Sequence, residues 1–324
     1  MKSMIRKIIF YLLLIASVTL SSCQKDLDQF VPDPSTGYDT LYNTIDNTMP
    51  VADLKYNLLL PIYKDSFNLG TATTNVNTGS GLQCNFIPGS IYNAANTPVT
   101  GKIFIETYLL KTKGDMIRMS TPTTSNGRML VSGGEFFVRL TKDGGELNLG
   151  SHYYIKYDDP APASLMTRFD GDETNPAIFN WLPTQDSLGS LSTLNQSYLL
   201  STNRLHWINC DYFYDTSGIP RTTVSANLPS TYTNANTVAY TVFNDIRSVT
   251  GMYGNATTRK FCSGKLPANK IITVVIISKQ GNDYFLGHEQ VTTVGSSGTI
   301  NNQEVTVAPV ITSLDNIKTY LNSL

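Results

Sequence analysis

The chain has 324 residues, only 15% of them charged, and its 24 Lys and Arg nearly balance its 25 Asp and Glu. A chain without a basic footprint has no electrostatic reason to bind nucleic acid, so we exclude nucleic acid as a partner. The length allows two domains, each large enough to bury its own hydrophobic core. Thr, Ser and Asn are abundant, which predicts a polar but largely uncharged surface.

The first 22 residues are predicted to be a secretory signal peptide. The positive residues Lys2, Arg6 and Lys7 precede an apolar run from Ile8 to Leu20. A positive start, a short apolar segment and small residues at the end are the three parts of such a signal. The alternative is a membrane-spanning helix, but that needs about 20 apolar residues, and this run is shorter and ends at two serines.

The segment that closes this signal, "LSSC", resembles the lipobox of bacterial lipoproteins and ends at Cys23. The thiol is the nucleophile that accepts a diacylglyceryl group, and the small residues before it give a peptidase access to the bond it cuts. The resemblance implies a mature chain that begins at Cys23 and is held on a membrane by its acyl chains. The alternative is a chance cysteine after an ordinary secretory signal. Without the three cations of the signal, 21 Lys and Arg remain against 25 Asp and Glu, a net charge of about −4.

The residues after Cys23, "QKDLD", resemble the export run of Bacteroidetes-type surface lipoproteins. The resemblance implies that Lys25, Asp26 and Asp28 direct the protein across the outer membrane to the cell surface, although Leu27 interrupts the acids. The alternative is a solvated spacer. Residues 23–50 contain prolines and turn residues without a regular period, which predicts a flexible tether.

Residues 51–215 are predicted to form a β-sandwich domain with long loops. Residues 101–110 and 135–141 alternate apolar and polar side chains, as strands with one buried face do. Residues 142–147 contain Asp-Gly and Gly-Gly, which adopt positive φ readily and predict a hairpin turn. Helical periodicity is nearly absent between residues 51 and 149, so we expect an antiparallel sandwich.

Residues 216–324 are predicted to form a second β domain that ends in a helix. Residues 271–277 are apolar on both faces, as in a central strand, and residues 280–283 form a turn after it. Ser313 is placed to cap a helix. The apolar residues of that helix recur at helical spacing at Leu314, Ile317, Leu321 and Leu324. The fold class is therefore mainly β, with two antiparallel β-sandwich-like domains and a short C-terminal helix.

Four segments resemble a β module of uncharacterised Bacteroidetes-type outer-membrane lipoproteins. They are a "PVTG" strand entry at residues 98–101, a "K-x-D-M" turn at 113–116, an "SNGR" hairpin at 125–134 and a "WINCD" strand at 205–213. His206 and Tyr212 depart from the pattern. The resemblance implies a lipid-anchored envelope protein with β domains, and it brings no established activity and no catalytic residue.

Three cysteines remain after the anchor: Cys84, Cys210 and Cys262. They allow at most one intramolecular disulfide, and the sequence does not choose among the pairings. Cys210 alternates with Ile208, so we expect it to point into a core. There is no C-x-x-C spacing, so neither a metal cluster nor a cofactor is predicted.

No motif of a hydrolase is present, and we expect the protein not to be an enzyme. The three histidines are scattered in the sequence, and we expect them to be strand residues with satisfied ring nitrogens. A hydrolase with an unrecognised site is the third alternative, because distant residues can converge. The acids Asp170, Asp172 and Glu173 suit calcium by ligand type, but their spacing is not that of an EF-hand and favours an acidic surface turn.

Aromatic residues suggest a glycan-binding alternative. Trp181 and Trp207, with neighbouring tyrosines, are candidates for a platform on which sugar rings stack, although burial in a core is favoured for each. Separately, "DTL" and "DSL" resemble the O-glycosylation signal of Bacteroidetes-type envelope proteins, which makes Thr40 and Ser187 candidate acceptors.

Together these patterns predict a lipid-anchored outer-membrane lipoprotein exposed on the cell surface. Its role is expected to be non-enzymatic: interaction, adhesion or scaffolding, with another envelope protein as a partner. A surface glycan-binding module is the alternative. The membrane is contacted through the lipid on Cys23.

Overall fold

The computed structural model describes residues 49–174, 179–255, 258, 260–296 and 300–324. The predicted signal peptide, the lipidation site Cys23, the export residues Lys25, Asp26 and Asp28, and Thr40 lie outside the described residues. So does the predicted tether, apart from its last two residues.

The described part of the chain is mainly β and contains three helices: α1 (Pro50–Leu58), α2 (Lys113–Met119) and α3 (Leu314–Asn322). None of these helices combines the length and the apolar character needed to cross a bilayer. The predicted fold class is confirmed, including the short C-terminal helix. The strands are β1 (Tyr63–Leu69), β2 (Thr74–Asn77), β3 (Gln83–Phe86), β4 (Ile91–Tyr92), β5 (Gly101–Leu110), β6 (Thr124–Ser125), β7 (Arg128–Lys142), β8 (Gly145–Glu146), β9 (Asn148–Leu149), β10 (Tyr153–Asp158), β11 (Thr167–Asp172), β12 (Asn180–Pro183), β13 (Ser190–Thr193), β14 (Ser197–Thr202), β15 (His206–Phe213), β16 (Arg221–Asn227), β17 (Thr237–Phe243), β18 (Val249–Asn255), β19 (Lys260–Ser263), β20 (Leu266–Pro267), β21 (Ile271–Gln280), β22 (Asp283–Thr292), β23 (Asn301–Thr306) and β24 (Val310–Thr312).

Strands β1 to β15, apart from β4 and β9, build a sandwich of two sheets, and β4 and β9 pair with each other in a separate two-stranded sheet. One sheet has the order β1-β5-β7-β15-β11-β12, with β6 and β8 also paired to β7, and the other has the order β13-β14-β10-β3-β2. Alternate residues of both sheets meet in one hydrophobic core, for example Ile105 and Phe136 from the first sheet and Phe86 and Tyr157 from the second. The predicted alternation is thus confirmed, and the predicted hairpin turn is formed by Asp143 and Gly144, both at positive φ.

Strands β16 to β24 build a nine-stranded sheet with the order β20-β16-β19-β18-β17-β21-β22-β24 and with β23 parallel to β16. Strand β21 lies inside this sheet and is buried on both faces, as its unbroken apolar run predicts. Val275 and Ile277 face one core, whereas Ile272, Val274 and Ile276 face another. The predicted turn after β21 is confirmed, because residues 281 and 282 join it to β22.

All three helices pack on one face of the nine-stranded sheet. Ser313 caps α3 by accepting a hydrogen bond from the Asn316 amide at 3.1 Å, and Ile317 and Leu321 are fully buried, as predicted. Helices α1 and α2 come from the first half of the chain, yet Leu54 and Met116 belong to the same core as Ile317. The two halves therefore share a core, and the domain boundary at residues 215 and 216 stays a prediction.

Helices α1 and α2 correct the expectation that the first half lacks helices. The segment 113–116, predicted as a turn, is the first turn of α2. Thr112 begins that helix with a capping box: its side chain accepts from the Asp115 amide at 3.1 Å, and the Asp115 carboxylate accepts from the Thr112 amide at 3.2 Å. Helix α1 begins at Pro50, which suits the first turn of a helix because its missing N–H has no partner there.

Candidate functional site

Two of the segments singled out in the sequence lie side by side where the sandwich meets the nine-stranded sheet. Strands β7 and β15 pair so that Asn209 lies opposite Glu135 and Asp211 opposite Ser132, with a β-bulge between the two pairs. The extra residue belongs to β7, where Gly134 has φ of 136°, a conformation open to glycine but not to other residues. The bulge determines which side chains of β7 face the second half of the molecule.

Glu135 and Asp211 are two carboxyl groups buried at this bulge. Both residues have 0% exposure. Thr121 donates its hydroxyl to Glu135 Oε2 at 2.5 Å, and the Asn209 amide donates to Asp211 Oδ2 at 2.6 Å. Burial raises the pKa of both carboxyls well above the usual range, and the nearby Asp211 charge raises that of Glu135 further. The site therefore favours the neutral, protonated forms.

The buried carboxyls lie beside the hydrogen bonds that join the two halves. Ser132 donates its amide to the Arg247 carbonyl at 2.9 Å, and Thr123 donates its amide to the Val249 carbonyl at 2.8 Å. Arg247 in turn donates to Asp159 at 2.8 Å, and the Asp159 carboxylate is almost fully buried. A change in the charge of this region would thus act on the junction between the sandwich and the second sheet.

A cleft of about 900 Å³ opens at the same junction, between the β6–β7 hairpin and the second sheet. Asn126 and Gly127 form the tip of the hairpin, both at positive φ, as expected for an Asn-Gly turn. Asn180 fixes this tip with two hydrogen bonds: its carbonyl accepts from the Asn126 amide at 2.8 Å, and its amide donates to Asn126 Oδ1 at 3.0 Å. The cleft thus has one wall held in a defined position.

Three cationic side chains line the cleft: Arg128, Arg221 and Lys265. The Arg128 guanidinium lies 3.7 Å from the centre of the Phe213 ring, and Arg221 donates to the Thr216 hydroxyl at 2.6 Å. No ion pair joins any of the three to a carboxylate of the described residues. The cleft therefore carries local positive charge on a chain whose formal charge is negative.

The outer face of the sandwich carries a row of aromatic side chains. Tyr108, Phe137 and Trp207 lie in register across β5, β7 and β15, and Gly171 pairs with Trp181 next to them. A Cβ atom at Gly171 would lie 2.5 Å from the Trp207 Cβ, so only glycine leaves room for the indole. The row is a continuous packed layer.

The glycan platform considered as an alternative for Trp181 and Trp207 is not formed. Trp181 has 0% exposure and offers no ring face to a sugar. Trp207 is half-buried, is stacked on Tyr108 and meets Trp181 edge to face at 82°, so the two indoles do not share a plane. Tyr153 and Tyr157, two of the tyrosines that neighbour this region in the sequence, lie inside the sandwich core.

The three histidines make separate contacts, and no two of them lie together. His152 hydrogen bonds Asp186 at 2.9 Å, and His288 stacks on Tyr320 with ring centres 4.6 Å apart. His206 contacts the carboxylates of Glu146 and Glu173. The hydrogen bond with Glu173 has the largest effect on its pKa, and together with that of Glu146 it outweighs partial burial and raises the pKa to about 9. The expectation of a strand residue with satisfied ring nitrogens holds for His206, whereas His152 precedes β10 and hydrogen bonds through Nε2.

Ser187, the described candidate for O-glycosylation, lies in an exposed turn. The neighbouring Asp186 accepts from Arg168 at 2.9 Å and from the Gly189 amide at 3.0 Å, which fixes the turn. Burial opposes ionisation of Asp186, but hydrogen bonds from His152 and Arg168 lower its pKa to about 2. Ser187 is therefore accessible on a well-defined turn, and its modification stays a prediction.

Cys84, Cys210 and Cys262 are all free. Cys84 and Cys210 are buried in the sandwich core, as expected for Cys210, and burial raises the pKa of both thiols to about 12. Among the residues that the structure describes, no group of three or more His, Cys, Asp and Glu is placed to hold a metal ion. The sequence favoured an acidic surface turn over a calcium site here, but Asp170 and Asp172 lie on strand β11, and Asp170 pairs with Arg168.

No protein-family model matches the chain, and no curated protein sequence matches it either.

Sequence reasoning missed the cations of the cleft and the buried carboxyls. The sequence did hold a clue to the orientation of Asp211. It directly follows the core residue Cys210 on a strand, so its side chain points away from the sandwich core, toward the second half of the molecule. There was a clue to Arg128 as well, since it directly follows an Asn-Gly turn.

Proposed function

We propose that the protein is a lipid-anchored lipoprotein of the outer membrane, exposed on the cell surface, with a non-enzymatic binding role in adhesion or scaffolding. The lipobox-like segment that ends at Cys23 supports the anchor, and Lys25, Asp26 and Asp28 support export. The observation that carries the binding role is the cleft, because its volume of about 900 Å³ lies in the range of ligand-binding sites.

A surface glycan-binding module is the second candidate function. The cleft favours it, since amide and hydroxyl groups of Thr124, Asn126, Thr216 and Ser217 line it together with the rings of aromatic residues. Amides and hydroxyls hydrogen bond sugar hydroxyls, and ring faces pack against the apolar faces of sugars. The binding site of this candidate is the cleft rather than the pair of indoles.

The anchor and the export run are tested separately. Cys23→Ala should abolish incorporation of labelled palmitate, and continued incorporation would refute the anchor. Replacing Lys25, Asp26 and Asp28 by alanine should leave the protein lipidated but absent from the surface of intact cells in antibody labelling. Unchanged surface labelling of that variant would remove the export role.

A further inference from the structure

We propose that the cleft binds an anionic saccharide, and that Arg128, Arg221 and Lys265 contact its carboxylate or sulfate groups. This inference rests on the glycan-binding candidate above and names the class of saccharide. Its starting point is a charge imbalance: three cations and one carboxylate, that of Asp215, line the cleft. That carboxylate accepts a hydrogen bond from the Ser217 amide at 2.8 Å, within its own loop.

The cations of the cleft differ from most others on the second sheet. Lys260 pairs with Glu304 at 2.5 Å, Lys270 with Asp245 at 2.6 Å and Lys279 with Asp53 at 2.5 Å. The three cleft cations, in contrast, are exposed and have no carboxylate partner among the described residues. A ligand anion would supply the counter-charge that the fold supplies elsewhere.

The geometry brings these cations to one place from different strands. Arg128 begins β7 directly after the hairpin tip, and its guanidinium is held over the Phe213 ring. Arg221 begins β16 and pairs with Pro267 of β20, and Lys265 directly precedes that strand. A planar guanidinium presents paired N–H donors that match a carboxylate or a sulfate.

The remaining lining favours a polyhydroxylated ligand over an acidic peptide. Besides the cations, the cleft offers amides, hydroxyls and aromatic rings, whereas its aliphatic residues, Met129 and Leu266, are buried in the core of the second sheet. A peptide would need apolar pockets for its side chains, but a sugar chain needs hydrogen bonds and ring faces. The cleft volume also suits a short oligosaccharide rather than a folded partner.

The test is a calorimetric titration of the mature lipoprotein in detergent with three oligosaccharides of equal length. One carries carboxylates (an oligogalacturonate), one carries sulfates (a sulfated galactan fragment), and one is neutral (a galactan fragment). We expect binding of at least one anionic chain, with an affinity that falls as salt is raised, and no measurable binding of the neutral chain. The two anionic probes distinguish a carboxylate ligand from a sulfate ligand.

Variants locate the binding. Arg128→Gln and Arg221→Gln should each weaken binding of the anionic chain roughly tenfold, the usual loss for one charge-assisted contact. Arg204→Gln is the matched control, because Arg204 is 54% exposed and lies outside the cleft beside Asp170, and it should leave affinity unchanged. Melting temperatures close to that of the parent protein would show that the variants fold.

The outcomes separate this inference from the function on which it rests. Equal binding of the neutral chain would keep the glycan-binding role but overturn the anionic class. Binding that both Arg128→Gln and Arg221→Gln leave unchanged would overturn the cleft as the site. Binding of none of the three chains would overturn the inference and the glycan-binding candidate together, while surface exposure is measured independently of any ligand.

Discussion

Strand β7 carries ionisable side chains in two opposite environments, and the contrast explains much of the molecule. At its start Arg128 is exposed in the cleft, and in its middle Glu135 is fully buried beside Asp211. The buried carboxyls are held by hydrogen bonds from the protein itself, whereas the cleft cations have no carboxylate partner among the described residues. Burial thus gives the middle of the strand a structural role, and exposure leaves its start available for a ligand.

The largest effect is expected from a buried carboxylate without partners. Ile317→Asp would place an acid in the core beneath α3, where the native side chain has 0% exposure. We expect a loss of about 3–5 kcal/mol in the free energy of unfolding, because no hydrogen bonds compensate the burial. Thr319→Asp, on the exposed side of the same helix, is the control and should change stability little. Equal melting temperatures for both variants would show that α3 is not docked.

The pH dependence of stability tests the buried pair directly. A carboxyl whose pKa is raised by folding stays protonated in the native state while the unfolded state ionises, so stability falls as pH rises above the unfolded pKa. Each such carboxyl contributes a slope of about 1.4 kcal/mol per pH unit until its folded pKa is reached. Glu135→Gln and Asp211→Asn should each make the free energy of unfolding fall less steeply between pH 4 and 7 than it does in the parent protein. An unchanged slope would contradict neutral carboxyls in the folded state.

Glu106 provides a control of opposite sign on the neighbouring strand. Partial burial opposes its ionisation, but hydrogen bonds from Lys64 and Arg139 lower its pKa. Its contribution to stability is therefore present above the unfolded pKa and is lost as pH falls. Glu106→Gln should reduce the loss of stability on acidification. If it changed the pH dependence of the free energy of unfolding in the same way as Glu135→Gln, the opposite pKa shifts of these two carboxyls would be contradicted.

The aromatic row is expected to respond to a single methyl group. Gly171→Ala would place a Cβ 2.5 Å from the Trp207 Cβ and 2.9 Å from the Phe179 ring. We expect a loss of about 1–3 kcal/mol from overpacking, together with a change in tryptophan fluorescence. Gly70→Ala is the control, since nothing lies within 4 Å of its Cβ position. Gly218 also has open space around it, but its positive φ would add backbone strain to an alanine.

The smallest effect is expected at His206, which is partly exposed. Its contacts with Glu173 and Glu146 raise its pKa to about 9, so its contribution to stability is complete below about pH 6.5 and is lost as pH rises through 9. Glu173→Gln should lower the pKa of His206 in an NMR titration. A His206 pKa near 6.5 in the parent protein would contradict the two carboxylate contacts.

Local patterns predicted much of the fold. The cap at Ser313, the apolar run of β21 and the Asp-Gly turn are decided by neighbouring residues, and all three are confirmed. Helix α2, with seven residues, is too short for a helical period to stand out. Helix α1 has helical spacing at Val51, Leu54 and Leu58, but its start at Pro50 was assigned to the tether. Both are stabilised by packing on a sheet that is far away in sequence.

The site could be predicted less well than the fold, because it depends on the register between distant strands. The bulge at Gly134 places Glu135 and Asp211 on the same face, and no local pattern fixes that register. The cleft cations come from three separate segments. Burial of Trp181 was the favoured expectation and is confirmed, but its packing against Phe179 under the aromatic row depends on distant strands and was not predicted.

The most direct test of the proposed function is labelling of one cleft residue on intact cells. Ser217 is exposed in the cleft, whereas Cys84 and Cys210 are buried and Cys262 is half-buried. Ser217→Cys should therefore add one fully accessible thiol to the protein. A membrane-impermeant maleimide should label this variant, above the parent level, without lysis. Labelling only after lysis would contradict a cleft that faces the outside and would leave a periplasmic scaffolding role.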